Sequence, residues 1–124
     1  MASPPPFPCP CCGFPTIGER ASYDICPICW WEDDGQDGGE NDPRADEVWG
    51  GPNGRYSLSA ARANFEDHSH MYDAGHGIAV VENPTAERMA LLDYAQAVRG
   101  GETLDLDRLQ ALIARDREAR KEAE

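Results

Sequence analysis

Apolar residues recur at helical spacing toward the C-terminal end of the chain. Asn83-Pro84-Thr85 predicts the start of a helix that runs to about Val98, and Gly100-Gly101 predicts its end. The side chains that this helix is expected to turn inward are Met89, Leu92 and Val98.

A second helix is predicted directly after this stop. Asp105 can cap its N-terminus, and charges alternate from Arg115 to Glu124, where we expect the helix to fray. Its apolar face contains Leu106, Leu109, Leu112 and Ile113. Together the two helices predict a helical hairpin over residues 85–124.

Apolar and polar residues alternate in the N-terminal part of the chain instead. Phe14–Ile17 and Ala21–Ile25 flank Gly18, which predicts two strands joined by a tight turn at the glycine. Such a hairpin can lay one face over a buried site and leave the other face in water.

Two weaker patterns lie between these regions. A short helix with Leu58, Ala61 and Phe65 on one face can be capped by Ser57 or Ser59, and the apolar run Ile78–Val81 predicts an edge strand.

The predicted fold class is α+β, a small β-hairpin module followed by α-helices. The expected segments are a Pro-rich tail at 1–8, the hairpin module with an acidic loop and a short helix at 9–65, an irregular connection at 66–84 and the helical hairpin at 85–124.

Glu32–Glu47 is acidic and rich in glycine. It contains eight acids against one arginine, and its glycines and Pro43 exclude a regular helix, so we expect a solvated surface loop. The composition resembles a calcium loop, but no register gives the required ligand spacing. The acids concerned are Asp33, Asp34, Asp37, Glu40 and Asp42.

Three tryptophans flank this loop. They could form an exposed aromatic platform for a protein partner, or they could complete the core of the small module. We expect Trp30 and Trp49 to be buried and Trp31 to lie at the surface.

Two Cys-Pro-x-Cys turns carry the strongest chemical signal. In each turn two sulfurs can approach one ion while backbone amides hydrogen-bond to them, so two turns supply the four thiolates of a closed tetrahedral site. Rubredoxin-type iron sites join similar turns over a longer connection, which favours zinc. The predicted ligands of one structural zinc ion per chain are Cys9, Cys12, Cys26 and Cys29.

The residues around these ligands leave alternatives open. Gly13 suits the left-handed conformation that closes the first turn, whereas Trp30 follows the second turn and weakens the symmetry. Cys11 lies between two ligands and is expected to point away from the ion as a packed or exposed spare thiol, although a thiol beside zinc can also be reactive. Cys26-Pro27-Ile28-Cys29 looks like a glutaredoxin active site, but no long helix can follow it.

Three histidines lie close together in a polar segment. The spacing of His68, His70 and His76 permits a second metal site, on which a metal-dependent hydrolase would depend, but such histidines are more often ordinary surface residues. No segment resembles a Ser-His-Asp arrangement, a phosphate-binding glycine loop or a nucleotide fingerprint.

Charge narrows the choice of partner. The chain of 124 residues has 11 basic and 23 acidic residues and a net charge of −12; four thiolates (−4) and a divalent ion (+2) would make it −14. Nucleic-acid binding depends on cations that neutralise phosphates and is therefore not expected. An acidic surface suits a basic patch on another protein.

The remaining compositional features concern location. No segment approaches the ~20 apolar residues of a membrane span, and the N-terminus lacks the basic and apolar regions of a secretory signal. Five cysteines without an export signal predict reduced thiols and a cytoplasmic protein.

Four motifs follow one another over the first half of the chain. They are Phe7-Pro8-Cys9-Pro10-Cys11-Cys12-Gly13, the run from Tyr23 to Asp37, Gly50-Gly51-Pro52-Asn53-Gly54 and the run from Ser57 to Phe65. This series resembles the bacterial CPCC cysteine-rich family. The resemblance implies a small zinc-binding bacterial protein and supplies no biochemical activity.

The sequence therefore predicts a non-enzymatic cytoplasmic protein with a zinc-ribbon module, whose acidic-aromatic loop binds a protein partner. One form of this hypothesis is an immunity or antitoxin-like protein whose acids cover a basic toxin surface. The alternative is a thiol-based redox sensor, in which oxidation that begins at Cys11 expels zinc. The oligomeric state is left open.

Overall fold

The computed structural model describes residue 5, residues 7–39 and residues 42–123. The fold class is α+β, as predicted, and the chain forms two compact units, Met1–His76 and Gly77–Glu124. Most of the predicted tail at 1–8 and Glu40 of the acidic loop lie outside the described residues. The elements are β1 (Phe7–Pro8), β2 (Pro15–Ile17), α1 (Leu58–His68), α2 (Ala79–Glu82), α3 (Ala86–Arg99) and α4 (Leu106–Ala123), with 3₁₀ turns at Pro43–Asp46 and Gly51–Asn53.

The strand pairing differs from the predicted hairpin. β2 pairs antiparallel with β1, with Phe7 opposite Ile17, so the two strands enclose the first cysteine turn and not the turn at Gly18. The predicted second strand is absent because Ala21 and Tyr23 have φ angles of 59° and 63°, in the left-handed region that an extended strand does not contain.

Asp33 holds the segment that replaces the predicted strand. Its carboxylate accepts hydrogen bonds from Arg20 Nε and Ala21 N, both at 2.9 Å. Its backbone accepts from Tyr23 N at 3.0 Å and donates to Asp24 O at 2.9 Å. Asp33 is fully buried, so the prediction of a wholly solvated acidic loop is wrong at this position.

Beside the second cysteine turn, the Asn53 side chain makes the backbone hydrogen bonds that a neighbouring β-strand would otherwise make. Glu32 forms an isolated antiparallel bridge with Ile25. On Asn53, the side-chain oxygen accepts from Glu32 N at 3.0 Å and the amide nitrogen donates to Glu32 O at 2.7 Å. This buried amide thus satisfies both backbone groups of Glu32, as a neighbouring strand would.

α1 fixes the first cysteine turn and the acidic loop to one support. Ser57 caps the helix as predicted, and its hydroxyl accepts from Ala60 N at 3.0 Å. Arg62 donates to the carbonyls of Pro10 at 2.9 Å and Gly38 at 2.6 Å. The buried face of the helix is the predicted one: Leu58, Ala61 and Phe65.

The C-terminal unit is a helical hairpin, but α3 buries a different face from the predicted one. Thr85 caps α3 by accepting from Arg88 N at 3.0 Å. Met89 is 53% exposed, because the stripe through Met89 and Leu92 continues into polar Gln96 and Arg99. The buried residues of α3 are Arg88, Leu91, Tyr94 and Ala95.

α4 follows its predicted pattern more closely. Asp105 caps it by accepting from Arg108 N at 3.2 Å, and the Tyr94 hydroxyl accepts from Asp105 N at 2.8 Å. Leu109, Leu112 and Ile113 are buried, whereas Leu106 is 39% exposed. The helix does not fray after Arg115 but continues to Ala123.

The predicted edge strand at Ile78–Val81 is wrong. Residues Ala79–Glu82 form the short helix α2, because Val81 N and Glu82 N bond back to Ile78 O at 3.1 Å. None of the helices in the described residues combines the length and apolar character that a membrane-spanning helix requires.

Two adjacent glycines test how tightly the acidic loop is packed. A Cβ on Gly38 would lie 2.7 Å from Ala45 N and 2.8 Å from Ala45 Cβ, whereas a Cβ on Gly39 would meet nothing within 4 Å. We expect Gly38→Ala to lower the free energy of unfolding by about 1–3 kcal/mol through this overlap. The matched control Gly39→Ala should change it by less than about 1 kcal/mol. Denaturant unfolding of both variants measures the difference, and equal midpoints would contradict the packing of Gly38 on Ala45.

Candidate metal centre

The two cysteine turns have the same backbone geometry. In the first turn, Cys9–Gly13, Gly13 N donates to Cys9 O at 2.8 Å; in the second turn, Cys26–Trp30, Trp30 N donates to Cys26 O at 2.9 Å. The correspondence continues outside the turns, because the bridge between Pro8 and Pro15 matches the bridge between Ile25 and Glu32. Adding 17 to each residue number of the first turn gives its counterpart in the second.

Trp30 takes the conformation that the sequence suggested only for glycine. Its φ angle is 70°, beside 81° at Gly13. A left-handed conformation costs a residue with a side chain roughly 1–2 kcal/mol, which the surrounding structure must supply. The expectation that Trp30 weakens the symmetry of the two turns is therefore wrong at the level of the backbone.

The residue that follows each turn is Phe14 in the first case and Trp31 in the second. The carbonyl oxygen of Phe14 accepts from Cys9 N at 2.8 Å, and that of Trp31 accepts from Cys26 N at 2.9 Å. Both side chains are buried. Trp31 is thus the core residue of the second turn, whereas Trp49 is 53% exposed. The predicted assignment was the reverse for these two, since it did not use the correspondence with Phe14.

The two turns bring four sulfurs together. The Sγ atoms of Cys9 and Cys29, and those of Cys12 and Cys26, lie 3.6 Å apart, and all four lie within 4.8 Å of one another. Sulfurs at tetrahedral positions around zinc, each ~2.3 Å from the ion, lie about 3.8 Å apart. These residues could therefore hold one metal ion, and in the described part of the chain they are the only such group of three or more ligands.

Hydrogen bonds reach the sulfurs from the surrounding chain. Thr16 Oγ1 donates to Cys26 Sγ at 3.0 Å, and Ile28 N donates to the same sulfur at 3.4 Å. Trp31 N donates to Cys29 Sγ at 3.5 Å. The sequence analysis did not predict a role for Thr16. Thr16 lies four residues after Cys12, as Asp33 lies four residues after Cys29, so the 17-residue correspondence of the two turns pairs these two polar residues.

The four thiols differ in acidity. Burial raises the pKa of Cys12. Burial also raises the pKa of Cys29, and a hydrogen bond with Cys11 raises it further. A hydrogen bond with Cys12 opposes the rise at Cys9, but hydrogen bonds with Cys26 and Cys29 and burial raise its pKa. Burial opposes ionisation of Cys26, but hydrogen bonds from the other three cysteines and Thr16 hold its pKa well below the usual range.

Cys11 does not belong to the group that could share an ion. It is 8% exposed, so it is a packed thiol, but its hydrogen bond with Cys29 means that it does not point away from the group as expected.

The three histidines come close together without forming a second such group. The ring centroids of His68 and His70 lie 5.5 Å apart, as do those of His70 and His76. His70 Nδ1 accepts from Tyr72 N at 3.1 Å, so one of its ring nitrogens is already engaged. Within the described residues, no three potential ligands that include a histidine meet closely enough to bind one ion.

The geometry of the two turns is accompanied by a family match. The model of the family described as cysteine-rich CPCC matches residues 7–87. The chain belongs to the cysteine-rich CPCC family. The match extends beyond the resemblance that ended at Phe65, so the CPCC region includes the histidine segment and α2. No curated protein and no solved structure matches the chain.

The pKa directions predict how metal binding by this CPCC protein depends on pH. The pKa values of Cys9, Cys12 and Cys29 are raised, so these thiols must lose protons to bind a dication, whereas the pKa of Cys26 is lowered. We expect ion binding to release protons and the affinity to rise with pH. Calorimetry in buffers of different ionisation enthalpy measures the proton release, and an affinity independent of pH would contradict the assignment.

Proposed function

We propose that the protein binds one structural zinc ion per chain through Cys9, Cys12, Cys26 and Cys29. The proposal is carried by the approach of their four sulfurs to within 4.8 Å of one another. Soft thiolate ligands in a tetrahedral set favour zinc, and four protein ligands leave no open position for a substrate. When bound, the ion would supply a cross-link between the two turns.

Zinc would have a large effect on the stability of the N-terminal unit. This unit contains only two short strands and one helix of more than four residues among those described. Structural zinc contributes roughly 10–16 kcal/mol in small peptides, more than such a core supplies by itself.

Two serine variants test this role. We expect the purified protein to contain one zinc per chain, and Cys9→Ser to lose at least about 90% of it, because one of four thiolates is removed. Cys11→Ser is the matched control and should keep its zinc. Elemental analysis gives the metal content and circular dichroism gives the fold. Iron in place of zinc, or equal zinc in both variants, would contradict the proposal.

The second part of the proposal concerns binding: the protein acts as a non-enzymatic interaction module. Val48 and Trp49, which we call the Val48–Trp49 patch, are 58% and 53% exposed. Large apolar residues side by side at the surface, and tryptophan above all, are typical of binding hot spots.

The patch adjoins a fixed acidic turn. Asp46 accepts from Ser59 Oγ on α1 at 2.6 Å, which ties the 3₁₀ turn Pro43–Asp46 to the helix. Asp46 and Glu47 are exposed at the end of this turn, next to the patch. With a net charge of −12, this surface suits a partner with a basic surface around an apolar pocket. An immunity or antitoxin-like role, with a basic toxin as partner, is one form of the proposal.

Trp49→Ala tests the patch against a matched control. The partner is first captured from the cells that make the protein, and its binding kinetics are then measured. We expect Trp49→Ala to weaken binding by about tenfold or more, and association to slow by about tenfold at high salt. Tyr23→Ala, at a side chain that is 59% exposed elsewhere in the same unit, should bind normally. Equal binding by both variants, or a salt-independent association rate, would contradict the proposal.

The alternatives gain no support from the structure. Peroxide attack that starts at Cys11 needs an accessible thiol, and Cys11 is buried. A hydrolase built on the histidines needs a second ion, for which the described residues offer no ligand group.

A further inference from the structure

Thr16 lies on β2, the strand that follows the first cysteine turn, but its side chain reaches a sulfur of the second turn. Its Oγ1 donates to Cys26 Sγ at 3.0 Å. The residue is 8% exposed, so water competes little for the hydroxyl, and a hydrogen bond is stronger in such surroundings than in water. Thr16 therefore connects the two turns directly at one of the four sulfurs.

The hydroxyl has one hydrogen and two acceptors within reach. Besides Cys26 Sγ, the carbonyl oxygen of Phe14 lies 3.4 Å from Thr16 Oγ1. That oxygen already accepts from Cys9 N and from Thr16 N, both at 2.8 Å. Since a carbonyl oxygen offers two lone pairs, both are in use, and the hydroxyl hydrogen is left to the sulfur.

Cys26 thereby receives more hydrogen bonds than its counterpart in the first turn. Ile28 N also donates to Cys26 Sγ, at 3.4 Å. The counterpart of Cys26 is Cys9, and among the described residues neither a backbone amide nor a hydroxyl donates to the Cys9 sulfur. Both cysteines are buried, so the difference between them lies in the donors and not in contact with water.

A hydroxyl that donates to a thiolate has two effects on that ligand. It fixes the direction in which the sulfur lies, as other residues behind metal ligands do. It also draws electron density away from the sulfur and stabilises its charge. Cys26 should therefore give less electron density to a bound ion than Cys9 gives.

We infer that Thr16 is a positioning residue of the metal centre, whose hydroxyl holds the Cys26 sulfur toward the ion and lowers the electron donation of that sulfur. This inference rests on the proposed zinc site and adds to it a residue outside the four ligands. Because Thr16 belongs to the strand of the first turn, it sets the properties of a ligand in the second turn.

Cobalt in place of zinc tests the electronic effect, because its thiolate-to-metal charge-transfer band reports the energy of the sulfur electrons. Thr16→Val removes the hydroxyl and keeps a β-branched side chain. We expect the band of Thr16→Val to move to longer wavelength, since the electrons of Cys26 rise in energy without the donor. Thr16→Ser keeps a hydroxyl and should give the wild-type band. An unchanged band in Thr16→Val would overturn the inference.

Ser57 offers a matched control for a general loss of stability. Its hydroxyl is in a residue that is also 8% exposed, but it accepts from Ala60 N at the start of α1. Ser57→Ala should lower the stability of the fold and leave the cobalt band where it is. A band that moves equally in Ser57→Ala and Thr16→Val would count against Thr16, because the shift would then report weaker packing.

Zinc affinity tests the positioning effect. Residues that orient a metal ligand typically contribute 10–100-fold to affinity, so competition with a chelator should show Thr16→Val binding zinc about tenfold more weakly than the wild type. Thr16→Ser should stay close to the wild type. Equal affinities of the valine and serine variants would contradict the positioning role.

A measurement on the wild-type chain covers the case in which Thr16→Val does not bind an ion. In the cadmium-loaded protein, NMR should detect scalar coupling between the Thr16 hydroxyl proton and the cadmium nucleus, transmitted through the Cys26 sulfur. A hydroxyl proton that exchanges too fast to be observed, or that shows no coupling, would overturn the inference.

Failure of the proposed function and failure of this inference are distinguishable. A chain that binds no zinc would overturn both. A chain that binds one zinc ion, but whose cobalt band and zinc affinity do not respond to loss of the Thr16 hydroxyl, would overturn the inference alone.

Discussion

The approach of four sulfurs to one point is the constraint on which the N-terminal unit depends. Each pair comes from a turn that closes on itself through the bonds from Gly13 N to Cys9 O and from Trp30 N to Cys26 O. Because each turn is determined locally, the remaining problem for the fold is to place one turn against the other. The proposed ion would solve this problem with bonds to both turns.

Buried polar side chains keep the neighbouring segments in place. Asp33 organises the backbone between the turns, and Arg62 ties α1 to the first turn and to the acidic loop. Asn53 supports the second turn at Glu32, and Met71 N donates to Cys29 O at 2.9 Å. In a small unit these bonds replace the longer strands of larger folds, at the cost of burying polar groups that must remain paired.

The sequence predicts those features that local chemistry determines. The four cysteines, the left-handed Gly13, and the caps at Ser57 and Asp105 are recognisable because each motif fixes its own geometry. The strand pairing was predicted wrongly, because alternation of residues says nothing about positive φ angles at Ala21 and Tyr23.

Other features depend on tertiary contacts and could not be derived from local patterns. The buried face of α3 is set by its packing on α4, so counting apolar residues selected Met89 instead of Leu91. Burial of Asp33 depends on Arg20 and on backbone donors that lie far from it in sequence. Burial of Trp31 and exposure of Trp49 could have been predicted from the correspondence between the two turns, but not from hydropathy.

The correspondence between the two turns also bears on kinetics. An ion bound by both turns need not leave in one event, since either pair of sulfurs can dissociate while the other pair still binds the metal. The detached pair remains tethered by a short stretch of chain, so its effective concentration near the ion is on the order of millimolar and recapture competes with escape. Spontaneous exchange with free metal should accordingly be slow even when partial opening is frequent. A bidentate chelator behaves in the same way, because a donor atom that has dissociated rebinds before the second donor atom dissociates.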